Sequence, residues 1–106
     1  MSFHTTAENI RVDDNRFLRA RLTNGDGEWV DAEIDLNNCL GNSNGQFVWG
    51  GSGFADSCES VSFNLEGGDN VPILRARLID GDGNAVDADV NLAERIENQG
   101  GQFVVV

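Results

Sequence analysis

The sequence predicts a mainly β protein assembled as two pseudosymmetric halves from tandem repeats. Three observations carry that expectation. The stretch Leu18 to Trp49 returns as Leu74 to Val105 at a constant offset of 56 residues, without a gap and with about half the positions identical. Within each copy, apolar and polar residues alternate with the two-residue period of a half-buried strand. Gly-bearing turns recur at matching places, TNGDGE in the first copy and IDGDGN in the second. What the copies share is a set of folding instructions rather than reactive groups.

Length and composition narrow the classes. A chain of 106 residues makes one domain. A single repeat of roughly 50 residues is near the lower limit for a self-sufficient core, so the halves are expected to complete each other. Apolar content of 40% with 24% charged residues fits a soluble globular protein. The net charge is −11, with seven arginines and no lysine, so neither nucleic acid nor a membrane surface is an expected partner. No apolar run reaches membrane-spanning length. The opening MSFHTTAENIRV has no basic region followed by an apolar one, which points to a cytoplasmic location; secretion without a leader stays compatible. Cys39 and Cys58 occupy unrelated places in the two repeats, on apolar-patterned positions. They read as small buried hydrophobes and not as a disulfide framework.

Taken in order, residues 7–13 alternate weakly and form a first strand, and Asp13, Asp14 and Asn15 a turn. From Phe17 to Thr23 the alternation is firm: Leu18, Ala20 and Leu22 face one side, Arg19 and Arg21 the other. After TNGDGE, the return strand from Trp29 to Ile34 turns Val30, Ala32 and Ile34 inward. Leu22 and Val30 share the inner face and should oppose each other, which requires a loop of three or five residues. That register sets Arg21 across from Asp31 and Arg19 across from Glu33, and in the second copy Arg77 across from Asp87 and Arg75 across from Asp89. Four arginines are thereby assigned to the scaffold. A short helical turn follows each hairpin, with Leu36, Cys39 and Leu40 behind Asp35 as N-cap, and Leu92 and Ile96 behind Asn91. NSNG at 42–45 and NQGG at 98–101 then reverse the chain into strands Gln46–Trp49 and Gln102–Val105. Gly50-Gly51-Ser52-Gly53 reads as a flexible connector. Phe54 to Phe63 restarts the first strand, Phe54 echoing Phe3, and LEGGDNVP is a longer loop than its counterpart.

Catalytic patterns are thin, and no enzyme activity is expected. His4 is the single histidine and reads as a surface residue. No serine sits in a nucleophile elbow and no Gly-rich phosphate loop opens a helix. Asp80-Gly-Asp82-Gly-Asn84 begins like a calcium loop, but Ala85 stands where the sharp-turn Gly belongs and Asn91 where the bidentate acid belongs. A hairpin turn explains the same residues, so neither metal nor cofactor is expected. What remains is a doubled set of neutral, Gly-rich loops on a rigid scaffold. Small polar groups beside exposed backbone suit sugar hydroxyls, which donate and accept together.

The stretches IDLNNCLGNSNGQFVW (34–49) and VNLAERIENQGGQFV (90–104), with the connector and Phe54, resemble the twice-occurring signature of the cyanovirin-N homologue family. The resemblance spans essentially the whole chain. It implies a fold in which each half is a three-stranded antiparallel sheet plus a β-hairpin exchanged between repeats. Half A would comprise 1–38 with 95–106, and half B 39–94. It further implies a lectin for mannose-rich oligosaccharides or glycoproteins, favouring terminal α(1→2)-linked dimannose without metal, with one shallow site per half.

By position, the site in half A would draw on Ser2, Thr5, Thr6, Thr23, Gly25, Asn98, Gln99 and Gly100. The site in half B would draw on Gly41, Asn42, Asn44, Ser52, Gly53, Asp56, Ser57, Ile79, Asp80, Gly81 and Gly83. Family members with strong sites carry charged residues where this chain has Gly41, Ile79 and Gly81, and likewise at Ser2 and Thr23, so weak binding is implied, and half B is slightly favoured. The alternative is a module that keeps the fold for a structural or protein-interaction role and has lost sugar binding. Disulfide-bearing members bridge within each half at the places held here by Ala7 with Leu22 and by Cys58 with Leu78, so apolar packing must replace both bridges. The connector lacks a rigid proline, which favours a monomer, with a domain-swapped dimer as the alternative.

Overall fold

The computed structural model describes residues 3–106. Strands β1 (Ala7–Asp13), β2 (Phe17–Thr23) and β3 (Trp29–Asp35) form one antiparallel sheet in that order. A 3-10 turn, Leu36–Asn38, leads into the hairpin of β4 (Leu40–Ser43) and β5 (Gln46–Trp49). The pattern then repeats. A 3-10 turn, Phe54–Ser57, opens the sheet of β6 (Cys58–Glu66), β7 (Val71–Ile79) and β8 (Ala85–Asn91). The turn Leu92–Glu94 leads into the hairpin of β9 (Ile96–Gln99) and β10 (Gln102–Val105). The mainly β, two-half architecture matches the expectation.

Hairpin register follows from the inward residues. Leu22 opposes Val30 and Leu78 opposes Val86 across five-residue loops, and Arg21–Asp31, Arg19–Glu33, Arg77–Asp87 and Arg75–Asp89 all stand opposite one another. Three of those pairs also meet through their charges, at 3.8 Å for Arg21–Asp31 and 3.4 Å for both Arg19–Glu33 and Arg77–Asp87. Arg75 differs. Its guanidinium turns away from Asp89 and engages Glu66 on the neighbouring strand, because β6 and β7 each run on beyond their first-repeat counterparts and bring a carboxylate within reach.

Each hairpin crosses over to cover the other repeat. β5 lies against β8 and β4 against the Phe54–Ser57 turn, while β10 lies against β3 and β9 against the Phe3–Thr6 turn. One edge-to-face aromatic contact anchors each crossing, Phe47 on Phe54 at 5.5 Å and Phe103 on Phe3 at 5.2 Å. Leu18, Leu22, Leu36, Leu40, Leu74, Leu78, Leu92 and Ile96 are fully buried in a single core shared by both halves.

Several local expectations need correction. Leu40 and Ile96 sit in strands β4 and β9, since each capped turn lasts only three residues before the chain extends. The caps themselves hold: the Asp35 carboxylate accepts from Asn37 N–H and the Asn91 amide oxygen from Ala93 N–H. Phe54 belongs to a 3-10 turn, not to β6, because left-handed Gly53 redirects the chain and drops the ring into the core. Half of LEGGDNVP is strand, with Leu65 paired to Pro72 and Glu66 to Val71 around a turn at 67–70. The connector is pinned rather than loose: Gly50 N–H donates to Cys39 O at 3.0 Å and Gly53 N–H to Asn37 O at 2.8 Å. His4 is half-buried, its ring edge-on to Phe3, instead of lying on the surface. Cys39 and Cys58 are free thiols, half-buried, and burial with help from Asp35 pushes Cys39 up to about 11. Ala7 opposes Leu22 and Cys58 opposes Leu78, so apolar pairs occupy both positions, as expected.

Candidate functional site

Two loop clusters, one per half, gather most of the residues singled out in the sequence. In half B, the β4–β5 turn, the Phe54–Ser57 turn and the β7–β8 loop converge on Asn42. Its Nδ2 donates to Ile79 O at 2.8 Å and to Ser57 Oγ and O at 2.9 and 3.2 Å, while its Oδ1 accepts Gly45 N–H at 2.8 Å. In half A the same arrangement centres on Asn98. There Nδ2 donates to Thr23 O at 2.9 Å and Thr6 Oγ1 at 3.0 Å, and Oδ1 accepts Gly101 N–H at 2.9 Å. Both amides are engaged by the protein. They place the loops and have little capacity left for a ligand.

The loops have their own internal order. In half B, Asp80 Oδ1 accepts from Asp82 N–H and Asn84 N–H, each at 2.9 Å, so this carboxylate oxygen closes its own turn. Asn24 does the same in half A for Asp26 and Glu28. Reading the repeat alone could have added Asn24 to the half-A set, since it is the offset partner of Asp80. Gly83 sits in the β7–β8 loop with left-handed φ, donating to Asp80 O, and Gly25 lies exposed in the β2–β3 loop. Val30, read in the sequence only as core, and its repeat partner Val86 also shape the sites. The turn glycines Gly101 and Gly45 rest on them, with φ of +94 and +88.

The remaining residues divide between surface and scaffold. Asn44, Ser52, Asp56 and Gly81 are exposed in half B, and Thr5, Gln99 and Gly100 in half A. Thr6 and Thr23 are half-buried, Thr23 Oγ1 donating to Thr6 O at 3.5 Å. Ser2 lies outside the described residues. Gly41 is buried in β4, bridged to Gly53, and a Cβ there would stand 3.1 Å from Ser52 N. A side chain at position 41 would require the connector to give by a few tenths of an ångström. A groove of about 510 Å³ lies elsewhere, over the charged outer face of β6–β8 and lined by Ser60, Ser62, Arg75, Arg77, Asp87 and Asp89. Its arginines are already paired with carboxylates. Among the described residues no group of three or more His, Cys, Asp or Glu side chains is placed to hold a metal ion.

The chain has relatives in both sequence and fold. A curated cyanovirin-N homologue from Neurospora crassa is 50% identical over 107 residues, covering 97% of this chain and 96% of that protein. The NMR structure of the Gibberella zeae CVNH protein superposes with a TM-score of 0.93 at 42% identity, covering 97% of this chain and 95% of the other. The structure of a microvirin–mannobiose complex superposes with a TM-score of 0.88 at 25% identity, covering 99% and 98% of the two chains. The CVNH domain model matches residues 3–104. With the duplicated sheets, the exchanged hairpins and a match running almost end to end, the chain belongs to the CVNH domain family.

Proposed function

We propose that this protein is a metal-independent lectin for mannose-rich oligosaccharides and glycoproteins. It takes terminal α(1→2)-linked dimannose at a shallow site in each half, and it binds without catalysis. On this reading half A is 1–38 with 95–106 and half B is 39–94, and the working species is mainly a monomer. One observation carries the reading. Each half fixes its turn and loop from beneath with an asparagine engaged by the protein, and the candidate groups left on top are small polar side chains and main chain, with Asp56 the exposed carboxylate of the half-B set. Sugar hydroxyls, which donate and accept at once, match such a surface without a charge complement. The mannobiose held by microvirin, a structural relative, supports the choice of sugar.

The second reading, a scaffold or protein-interaction module without sugar binding, is favoured by the same engagement. Asn42 and Asn98 are spent on the protein, and Gly41, Ile79 and Gly81 offer no polar side chain. Titration of mannobiose into isotope-labelled protein separates the two. The lectin reading expects saturable amide shifts at 41–44, 52–57 and 79–83, or at 5–6, 23–25 and 98–100. Unmoved loops in both halves would decide for the scaffold.

A further inference from the structure

One bond between turn and loop is present in half B and has no counterpart in half A. In half B, Asn44 Oδ1 accepts the Gly81 N–H at 2.7 Å, tying the β4–β5 turn to the β7–β8 loop. The repeat offset carries Asn44 onto Gly100 and Gly81 onto Gly25. Gly100 has no side chain with which to reach Gly25. The main chain is otherwise alike at the two places, φ being +51 at Asn44 and +63 at Gly100. Asparagine tolerates this left-handed region better than most residues. A Cβ built at Gly100 or Gly25 meets nothing within 4 Å. Half A therefore has both the backbone and the space for the same latch, and lacks only the amide.

We infer that Asn44 is a positioning residue, which holds the half-B loops in their binding arrangement through Gly81 and so makes half B the stronger sugar site. This rests on the lectin reading above. The bond is exposed and contributes little to folding. Its effect is on the loop: a segment ordered before the ligand arrives loses less conformational freedom on binding. Asn44 belongs to the set expected to contact sugar. The geometry gives it a different task, with its carbonyl oxygen facing protein.

The test compares Asn44→Gly, Asn44→Asp and Gly100→Asn by mannobiose titration with amide-resolved detection, alongside solvent exchange of the Gly81 and Gly25 amides. Glycine suits φ +51, so Asn44→Gly keeps the fold. It should free the Gly81 amide to exchange and weaken half-B binding by about threefold to tenfold, the range of one hydrogen bond. Asn44→Asp keeps the acceptor oxygen and should retain both protection and affinity. Gly100→Asn should slow exchange at Gly25 and strengthen half A. Unchanged half-B affinity in Asn44→Gly overturns the assignment. So does a loss in Asn44→Asp with Gly81 still protected, since that outcome makes Asn44 a direct sugar contact through its NH₂. Absence of mannobiose shifts from both halves of the wild type overturns the lectin reading itself, and this assignment with it.

Discussion

The Asn42 side-chain amide lies 2.8 Å from the Ile79 carbonyl oxygen, and this bond fastens a first-repeat hairpin to the end of a second-repeat strand. Replacing Asn42 by alanine strips partners from the carbonyls of Ile79 and Ser57 and from Gly45 N–H. At about 1 kcal/mol for each of these three partly buried groups, the low end of the range because solvent reaches the loops, the expected loss is roughly 3 kcal/mol. Asn42→Asp is the sharper variant. It keeps the acceptor for Gly45 but sets a carboxylate against two carbonyls, so at neutral pH it should be no more stable than alanine. Urea unfolding midpoints measure both.

Gly45→Ala and Gly101→Ala should each destabilise by about 2 kcal/mol or more, through left-handed strain and overpacking together. The new methyl would run into Val86 in the first case and lie 2.6 Å from Val30 Cγ2 in the second. Trimming Val86 to alanine within Gly45→Ala removes the collision and leaves the strain, so the double variant should recover only part of the loss. Gly68→Ala, where a Cβ meets nothing within 4 Å, is the control and should stay within about 0.5 kcal/mol of the parent. Denaturant titrations of the four variants give the comparison.

Asp35 gives the first repeat an acid-sensitive point that the matching position of the second repeat lacks. Hydrogen bonding from the Arg16 guanidinium chiefly holds its carboxyl below the usual range, against an opposing push from burial and with help from Asn37 N–H. A folded value below the unfolded one, near 3.9, means the contribution is present above that pH and is lost as pH falls through the folded value. Arg16→Ala should therefore be less stable than wild type at pH 7, and the gap should close between about pH 5 and pH 2. The second repeat has Pro72 and Asn91 at the corresponding positions and no titrating pair. Unfolding midpoints across that range test the sign.

Cys58 stands directly across from Leu78 in the β6–β7 ladder. Opposed residues in antiparallel strands have Cα atoms about 4.5–5.5 Å apart, within the range a disulfide spans. Leu78→Cys should therefore form a bridge on oxidation. The loop it closes is about 20 residues, worth roughly 3 kcal/mol by chain entropy. Leu78 is fully buried, so the reduced variant starts below wild type. The clean measurement is the melting temperature of the oxidised against the reduced form of the same variant, and the oxidised form should melt higher.

Much of this architecture was legible because period-two patterning constrains register: Leu22 opposite Val30 could only follow from an odd loop, and Arg21 opposite Asp31 came with it. Alternation in residues 7–13 read as weak for a physical reason, since the pairing slips between Glu8 and Arg11 and a bulge interrupts the period. Strands β4 and β9 were hidden because Leu40 and Ile96 complete an i, i+4 pattern with Leu36 and Leu92 across a turn that ends too soon. The site was legible as a set of loops but not as a set of roles. Sequence does not distinguish an asparagine whose amide faces solvent from one, like Asn98, that spends it on Thr6 and Thr23.

With Phe103 seated on Phe3 and Phe47 on Phe54, the unit that recurs along the chain is not the unit that packs. A cut between Gly50 and Phe54 would separate the copies and leave each sheet without its cover. Neither fragment could hold a core alone, so the intact molecule should melt in one cooperative transition, and a stabilising change made in either sheet should raise the melting point of the whole.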